Sequence, residues 1–120
     1  DYNAIYIRFP GGASNTISKK YCDGVMTAAT SKVEQEGFTY YDWNVDVNDA
    51  GSARTANKVY DNFVAGIVPQ RENVVLMHDG YGHQPTADAL QKIIDYAKEN
   101  GYVFSEITED TIPVQHGVNN

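Results

Sequence analysis

The run Val74-Val75-Leu76-Met77 constrains this chain most. Four apolar residues follow one another without the alternation of a half-wet strand, and His78-Asp79-Gly80 closes them. A strand of that kind must be covered on both faces. Helical periodicity on either side supplies the cover. Ala56, Val59, Tyr60, Phe63 and Val64 fall on one face of a helix expected over Ala53 to Ala65. Leu90, Ile93, Ile94 and Ala97 do the same after Thr86, a candidate N-cap, and Asn100-Gly101 supplies a stop.

The rest of the chain repeats that alternation. Ala4 to Arg8 reads as a short strand stopped by Pro10-Gly11-Gly12. Ser18 to Glu36 reads as a helix, with Tyr21, Val25, Ala28, Ala29 and Val33 at helical spacing and Gly37 beyond its end. Aromatic-rich Phe38 to Val45 reads as a strand, and residues 47–52 as a loop. A strand over Asn73 to Met77 carries the apolar run, and Tyr102 to Glu106 is a last strand. From Ile107 the tail reads as irregular and surface-wrapping. The order β-α-β-α-β-α-β defines an α/β class with parallel strands and right-handed crossovers. Four such strands could close a small three-layer sandwich or form about half of a β/α barrel, which takes roughly 200 residues or more.

With 120 residues, the chain suits one domain of modest core. Sixteen acidic against nine basic residues give a net charge of -7. That balance argues against nucleic acid and against docking on anionic lipid. It leaves neutral partners such as sugars. No run is long enough to span a membrane. Cys22, the one cysteine, excludes an internal disulfide and reads as a small buried hydrophobe in a helix. Asp1 is not an initiator methionine, so the absence of a leader says nothing about destination.

Chemically capable side chains collect at strand ends, the edge where α/β folds bind ligands. Arg8 presents a fixed fork of donors suited to a carboxylate, or is a surface arginine with a loose acidic partner. His78 can act as an acid or base near neutral pH, or is a core histidine satisfied by a carbonyl. His78-Asp79 lacks the further ligands of an "HD" phosphohydrolase. His83 and His116 read as surface residues, and the five-residue gap from His78 to His83 is not that of a helical metal pair. Trp43 suits stacking on a sugar ring or packing under a loop. Asp46 and Asp49 could orient a histidine or shape turns. Gly11-Gly12 lacks the lysine of a phosphate loop.

Together these segments resemble the polysaccharide deacetylase family, the NodB-homology domain. Arg8-Phe9-Pro10-Gly11-Gly12 is similar to its third motif, Trp43-Asn44-Val45-Asp46-Val47-Asn48-Asp49 to its fourth, and Leu76-Met77-His78 to its fifth. The resemblance covers essentially the whole chain, as residues 1–120 of a single catalytic domain. It implies the C-terminal half of a distorted β/α barrel, with the first two motifs absent. Ala50 stands where the family usually has a tryptophan.

The resemblance implies metal-assisted deacetylation of N-acetylglucosamine in peptidoglycan or a chitin-like chain. A divalent metal, expected to be zinc, would have its ligands outside this chain, so no metal ligand is assigned here. His78 would be the general acid, Asp49 its charge partner, and Arg8 the holder of the base. Trp43, Leu76, Pro10 and Phe9 would contact the substrate. The N-terminal half of the domain would be its partner, and the cell surface or exterior of a bacterium its place of work. A non-catalytic glycan-binding relative is the alternative. A receiver-like signalling domain would need an acidic cluster and a lysine at strand ends, which Val74–His78 does not offer.

Overall fold

The computed structural model describes residues 4–120. The chain divides into two compact units, Asp1–Trp43 with Ile112–Asn120, and Asn44–Thr111.

In the first unit, β1 (Tyr6–Ile7) pairs in parallel with β2 (Thr39–Tyr40). The helix expected over Ser18–Glu36 is broken. A 3-10 turn, Ile17–Lys20, precedes α1 (Val25–Gln35). Gly24 makes the break by taking a left-handed conformation at φ 76°, which costs a glycine little. Two expectations fail with it. Cys22 lies outside the helix and is exposed, and Tyr21 points into solvent instead of joining the apolar stripe. Met26 and Thr30, one turn apart, form the buried side of α1. The tail is held, not loose. Val114 accepts the Asp42 N–H, and Gln115 donates to the Tyr40 carbonyl. Asn120 accepts from Gly24 N–H through its side chain and from Thr27 through its backbone, which satisfies donors that a helix start leaves orphaned.

In the second unit, β3 (Val45–Asp46) pairs in parallel with β4 (Val75–Leu76). The single strand expected over Phe38–Val45 is thus two, β2 and β3, parted by residues 41–44. Helix α2 (Ala56–Gly66) starts three residues later than expected, because Thr55 caps it by accepting the Lys58 N–H. Helix α3 (Gln84–Glu99) starts earlier than expected. His83 is its N-cap residue and Pro85 sits in the first turn, so Thr86 is not the cap. Asn100 ends α3, as read from sequence.

The core of this unit is Val47, Ala53, Val59, Phe63, Ala89, Ile93 and Ala97. Val59 and Phe63 come from the predicted stripe of α2. On α3 the stripe turns slightly: Ala89, Ile93 and Ala97 face inward and Leu90 is exposed. Residues 102–106, expected as a strand, form none; Val103 is 85% and Phe104 58% exposed. An edge strand needs a partner for its backbone, and none is present here among the described residues.

Candidate active site

The second unit gathers its polar chemistry beyond the ends of β3 and β4. The chain leaves β3 at Asp46 and turns back at once. Asp46 accepts the Asn48 N–H, Asn48 accepts from Gly51 and Ala53 N–H, and Asn62 of α2 donates to the Val47 carbonyl. Asp46 is therefore a turn former. Asn48 takes φ 56°, which asparagine tolerates better than most residues. This bracing carries Asp49 inward, where it is only 4% exposed.

His78 follows β4 by two residues and meets Asp49 twice. Its backbone N–H donates to Oδ2 at 2.8 Å, and its Nδ1 lies 2.8 Å from Oδ1. Thr86 Oγ1 donates to the same Oδ2 at 2.7 Å. Burial by itself would raise the Asp49 pKa, yet the hydrogen bonds from His78 and Thr86 and the nearby imidazole outweigh it and hold the carboxyl below its usual value. An ionised carboxylate only accepts, so Nδ1 carries the proton in this bond. The Nε2 edge of the ring makes no hydrogen bond among the described residues, and the side chain is 36% exposed. A proton could be exchanged there with a ligand.

The turn Gly80–His83 returns the chain over this pair, with His83 N–H donating to the Gly80 carbonyl. The His83 ring stacks on that of His78, centroids 5.0 Å apart and planes 21° off parallel. Its Nδ1 is 3.9 Å from Asp49 Oδ2. His83 is thus half-buried against the site and not a free surface residue. Asp79 is exposed.

By spacing alone, Asp49, His78 and His83 offer ligand atoms within 4.8 Å of one another. Helical spacing rules could not find that grouping, because two of the three residues sit in a turn. Yet both Asp49 oxygens already accept hydrogen bonds and His78 Nδ1 is spent on one of them. The arrangement suits a held, proton-carrying imidazole better than a cation.

The other sequence-predicted residues belong to the first unit, except Leu76, which is buried at the end of β4. Arg8 is exposed just past β1. Phe9 packs its ring edgewise on Tyr40 at 5.4 Å and accepts the Gly12 N–H, closing a turn around Pro10. Gly12, at φ 78°, lies under Trp43: a Cβ there would come within 2.9 Å of the indole. Beneath this turn, Asp42 is 1% exposed and accepts the N–H groups of Ala13 and His116. The His116 ring meets Trp43 edge-on at 4.7 Å, with Nε2 2.6 Å from the Trp43 carbonyl and Nδ1 3.2 Å from Ser14 Oγ. His116, expected at the surface, is half-buried. Asp42, His116, His83 and Thr86 were all missed as site builders. Their roles rest on burial and on contacts distant in the chain, such as Asp42 with His116 across 74 positions, which local sequence pattern does not carry.

No protein-family model matches the chain. Among solved structures it is similar to the catalytic domain of the peptidoglycan N-acetylglucosamine deacetylase from Eubacterium rectale ATCC 33656. The TM-score is 0.90 and the identity 38%, over 99% of this chain and 54% of that one. A CE4 esterase of Streptococcus mutans aligns at TM-score 0.63 and 29% identity, over 84% of this chain and 42% of its own. The polysaccharide deacetylase Bc1974 from Bacillus cereus shares the fold at TM-score 0.74 and 24% identity, over 95% and 53%. A curated relative, "Putative polysaccharide deacetylase YheN" of Bacillus subtilis (strain 168), is 28% identical over 94% of this chain and 38% of its own length. The chain therefore spans about half the length of the solved relatives it matches, corresponding to their C-terminal half. It is similar to polysaccharide deacetylases over part of their length, and its α/β fold is that of part of the catalytic domain of these relatives.

Proposed function

We propose that this chain supplies the general-acid half of a deacetylase site acting on N-acetylglucosamine in peptidoglycan or a chitin-like polymer. The observation that carries the reading is the Asp49–His78 pair. Asp49 fixes the ring through Nδ1 and places a negative charge opposite the imidazolium, while Nε2 stays open. Such a ring can hand a proton from Nε2 to the departing amine as the amide C–N bond breaks. By accepting from Nδ1, Asp49 keeps that nitrogen protonated and leaves Nε2 as the one that exchanges the proton.

When bound, a divalent ion held by residues outside this chain would polarise the acetyl carbonyl and acidify a water. Arg8, at the third motif, would hold the carboxylate base by a charge-assisted bond. Leu76 and Trp43 would border the acetyl methyl, and Phe9 and Pro10 would contact the substrate. The complementary N-terminal half is the natural partner. Its docking is supported by exposed Val103 and Phe104 and by a groove of about 660 Å³ lined by Phe63, Ile67, Val75, Tyr102, Phe104 and Ile107. A peptidoglycan substrate would place the enzyme at the cell surface.

The test is acetate release from N-acetylglucosamine oligomers and peptidoglycan by the intact domain. His78→Ala should cut kcat by roughly 10²- to 10⁴-fold, the usual worth of a general acid. KM should move little, because the proton is transferred only in the transition state. An unchanged kcat would reject the acid role. Sugar binding without any acetate release would favour a glycan-binding protein instead.

A further inference from the structure

We infer that His83 is a positioning residue for His78, acting through the face of its ring and not through its nitrogens. This rests on the acid role proposed for His78. Asp49 grips the His78 ring at one nitrogen. One hydrogen bond fixes a point on a ring, but leaves the plane free to tilt about it. A second, flat surface against the ring removes that freedom. His83 is that surface: the rings lie 5.0 Å apart and within 21° of parallel. The separation falls in the stacking range of about 4.5–7 Å for aromatic pairs.

The nitrogen chemistry of His83 is weak by comparison. Its Nδ1 lies 3.9 Å from Asp49 Oδ2, beyond the roughly 3.2 Å limit of a sound N–H···O bond. That oxygen is already occupied by the His78 N–H and the Thr86 hydroxyl.

The backbone explains why the ring is held there. His83 N–H donates to Gly80, and its carbonyl accepts from Thr86 N–H at 3.0 Å as the first turn of α3 begins. The stacking residue is thus anchored on a helix start. Thr86, one turn further, meets the same Asp49. Of the other acidic side chains on this segment, Asp79 is exposed and Asp88 of α3 accepts from Gln84.

The test compares His83→Ala and His83→Phe in the intact domain, with His78→Ala alongside. Phenylalanine keeps the flat face and discards both nitrogens. His83→Ala should lower kcat on the order of 10-fold with KM nearly constant, as a small misplacement of a reacting group does. His83→Phe should recover kcat to within about threefold of wild type. In the alanine variant the His78 Nδ1 proton resonance should broaden, while backbone amides away from residues 78–86 keep their shifts.

Equal loss in both variants would overturn the inference, since the imidazole itself would then be needed. So would full activity in both. Should the alanine variant fail to fold, His83→Leu takes its place, keeping bulk without a flat ring: a loss there that His83→Phe does not show supports stacking, and equal kcat in the two overturns it. Undiminished kcat in His78→Ala would instead defeat the acid role, a failure visible separately from this one.

Discussion

Among the described residues, each unit of this chain buries one aspartate and sets a histidine on it, and the two pairs are built oppositely. Asp42 accepts the backbone N–H of His116, and the His116 ring spends both nitrogens elsewhere, on the Trp43 carbonyl and Ser14 Oγ. Only an N–H can serve a carbonyl, so Nε2 is the donor there, and Nδ1 meets the serine hydroxyl, which can give or accept the bond. Both ring nitrogens are engaged and neither is left open to a ligand. Asp49 also accepts its partner's backbone N–H, but it takes the ring at Nδ1 as well and leaves Nε2 open. The same two residue types thus make a structural clasp in one unit and a proton carrier in the other. Which atoms remain free, not which residues meet, separates them.

The sharpest way to break that contrast is to delete both rings. His78→Ala should cost roughly 10²- to 10⁴-fold in kcat of the intact enzyme. His116→Ala should instead lower unfolding stability by about 1–3 kcal/mol, because it strands the Trp43 carbonyl and the Ser14 hydroxyl, with kcat per folded molecule unchanged. Denaturant titration and acetate release on the same preparations read both quantities. A His116 variant that is stable but slow would erase the distinction.

Removing the charges sharpens it further. Asp49→Asn keeps the shape but turns an acceptor-only group into one that also donates toward the His78 N–H groups. Losing hydrogen bonds to a charged group costs about 1.5–3 kcal/mol, so kcat should fall roughly 10- to 100-fold if that loss is felt in the transition state. Asp42→Asn should spend a comparable loss on stability alone. Thermal unfolding and kinetics of the two variants check this, and a rate loss at Asp42 would count against the assignment.

Acid should expose the Asp49 pair in stability as well. Its carboxyl is held below its usual value, so the folded state binds that proton less tightly than the unfolded chain does. Its contribution is therefore complete above the ordinary carboxylate value near about pH 4 and is lost as pH falls through the depressed folded value. Unfolding temperatures of wild type and Asp49→Asn, followed from pH 7 downward, should stay apart to about pH 4 and converge below it. A gap that widens in acid would mean the carboxylate is not the ionised acceptor described.

Periodicity made much of this legible. Helices α2 and α3, the parallel strand pairing and the placement of His78 past a buried strand all follow from where apolar residues recur. The motif order led from there to Asp49. What sequence hid was set by backbone geometry and by contacts distant in the chain. Gly24 breaks a helix that the apolar spacing would have continued through Cys22. Residues 102–106 have strand composition, but a strand exists only where a neighbour pairs with it. Asp42 finds His116 across 74 positions, and no local pattern announces such a bond. His83 is five residues from His78, a distance that is meaningless on a helix and becomes contact only when a glycine-flanked turn folds it back.

The smallest expected effect lies at Thr86, where sequence and structure disagree about what one hydroxyl does. Read as an N-cap, Thr86 would hold the first turn of α3, and its loss would fray that turn. In the structure the hydroxyl is buried and donates to Asp49 Oδ2 at 2.7 Å, while His83 occupies the cap. Thr86→Val keeps the volume and removes only the donor. Asp49 Oδ2 still holds the His78 N–H, so the carboxylate is weakened but not orphaned. The cost to stability should be about 1.5 kcal/mol, the low end for a hydrogen bond to a charged group, since the carboxylate keeps its other donors, and kcat should change by no more than about threefold. Hydrogen exchange of the first-turn amides of α3 should be unaltered relative to the rest of the helix. Selective fraying there would restore the capping role. A rate loss as large as that of Asp49→Asn would show that Thr86, rather than the bracing of residues 46–53, is what aims the carboxylate at His78.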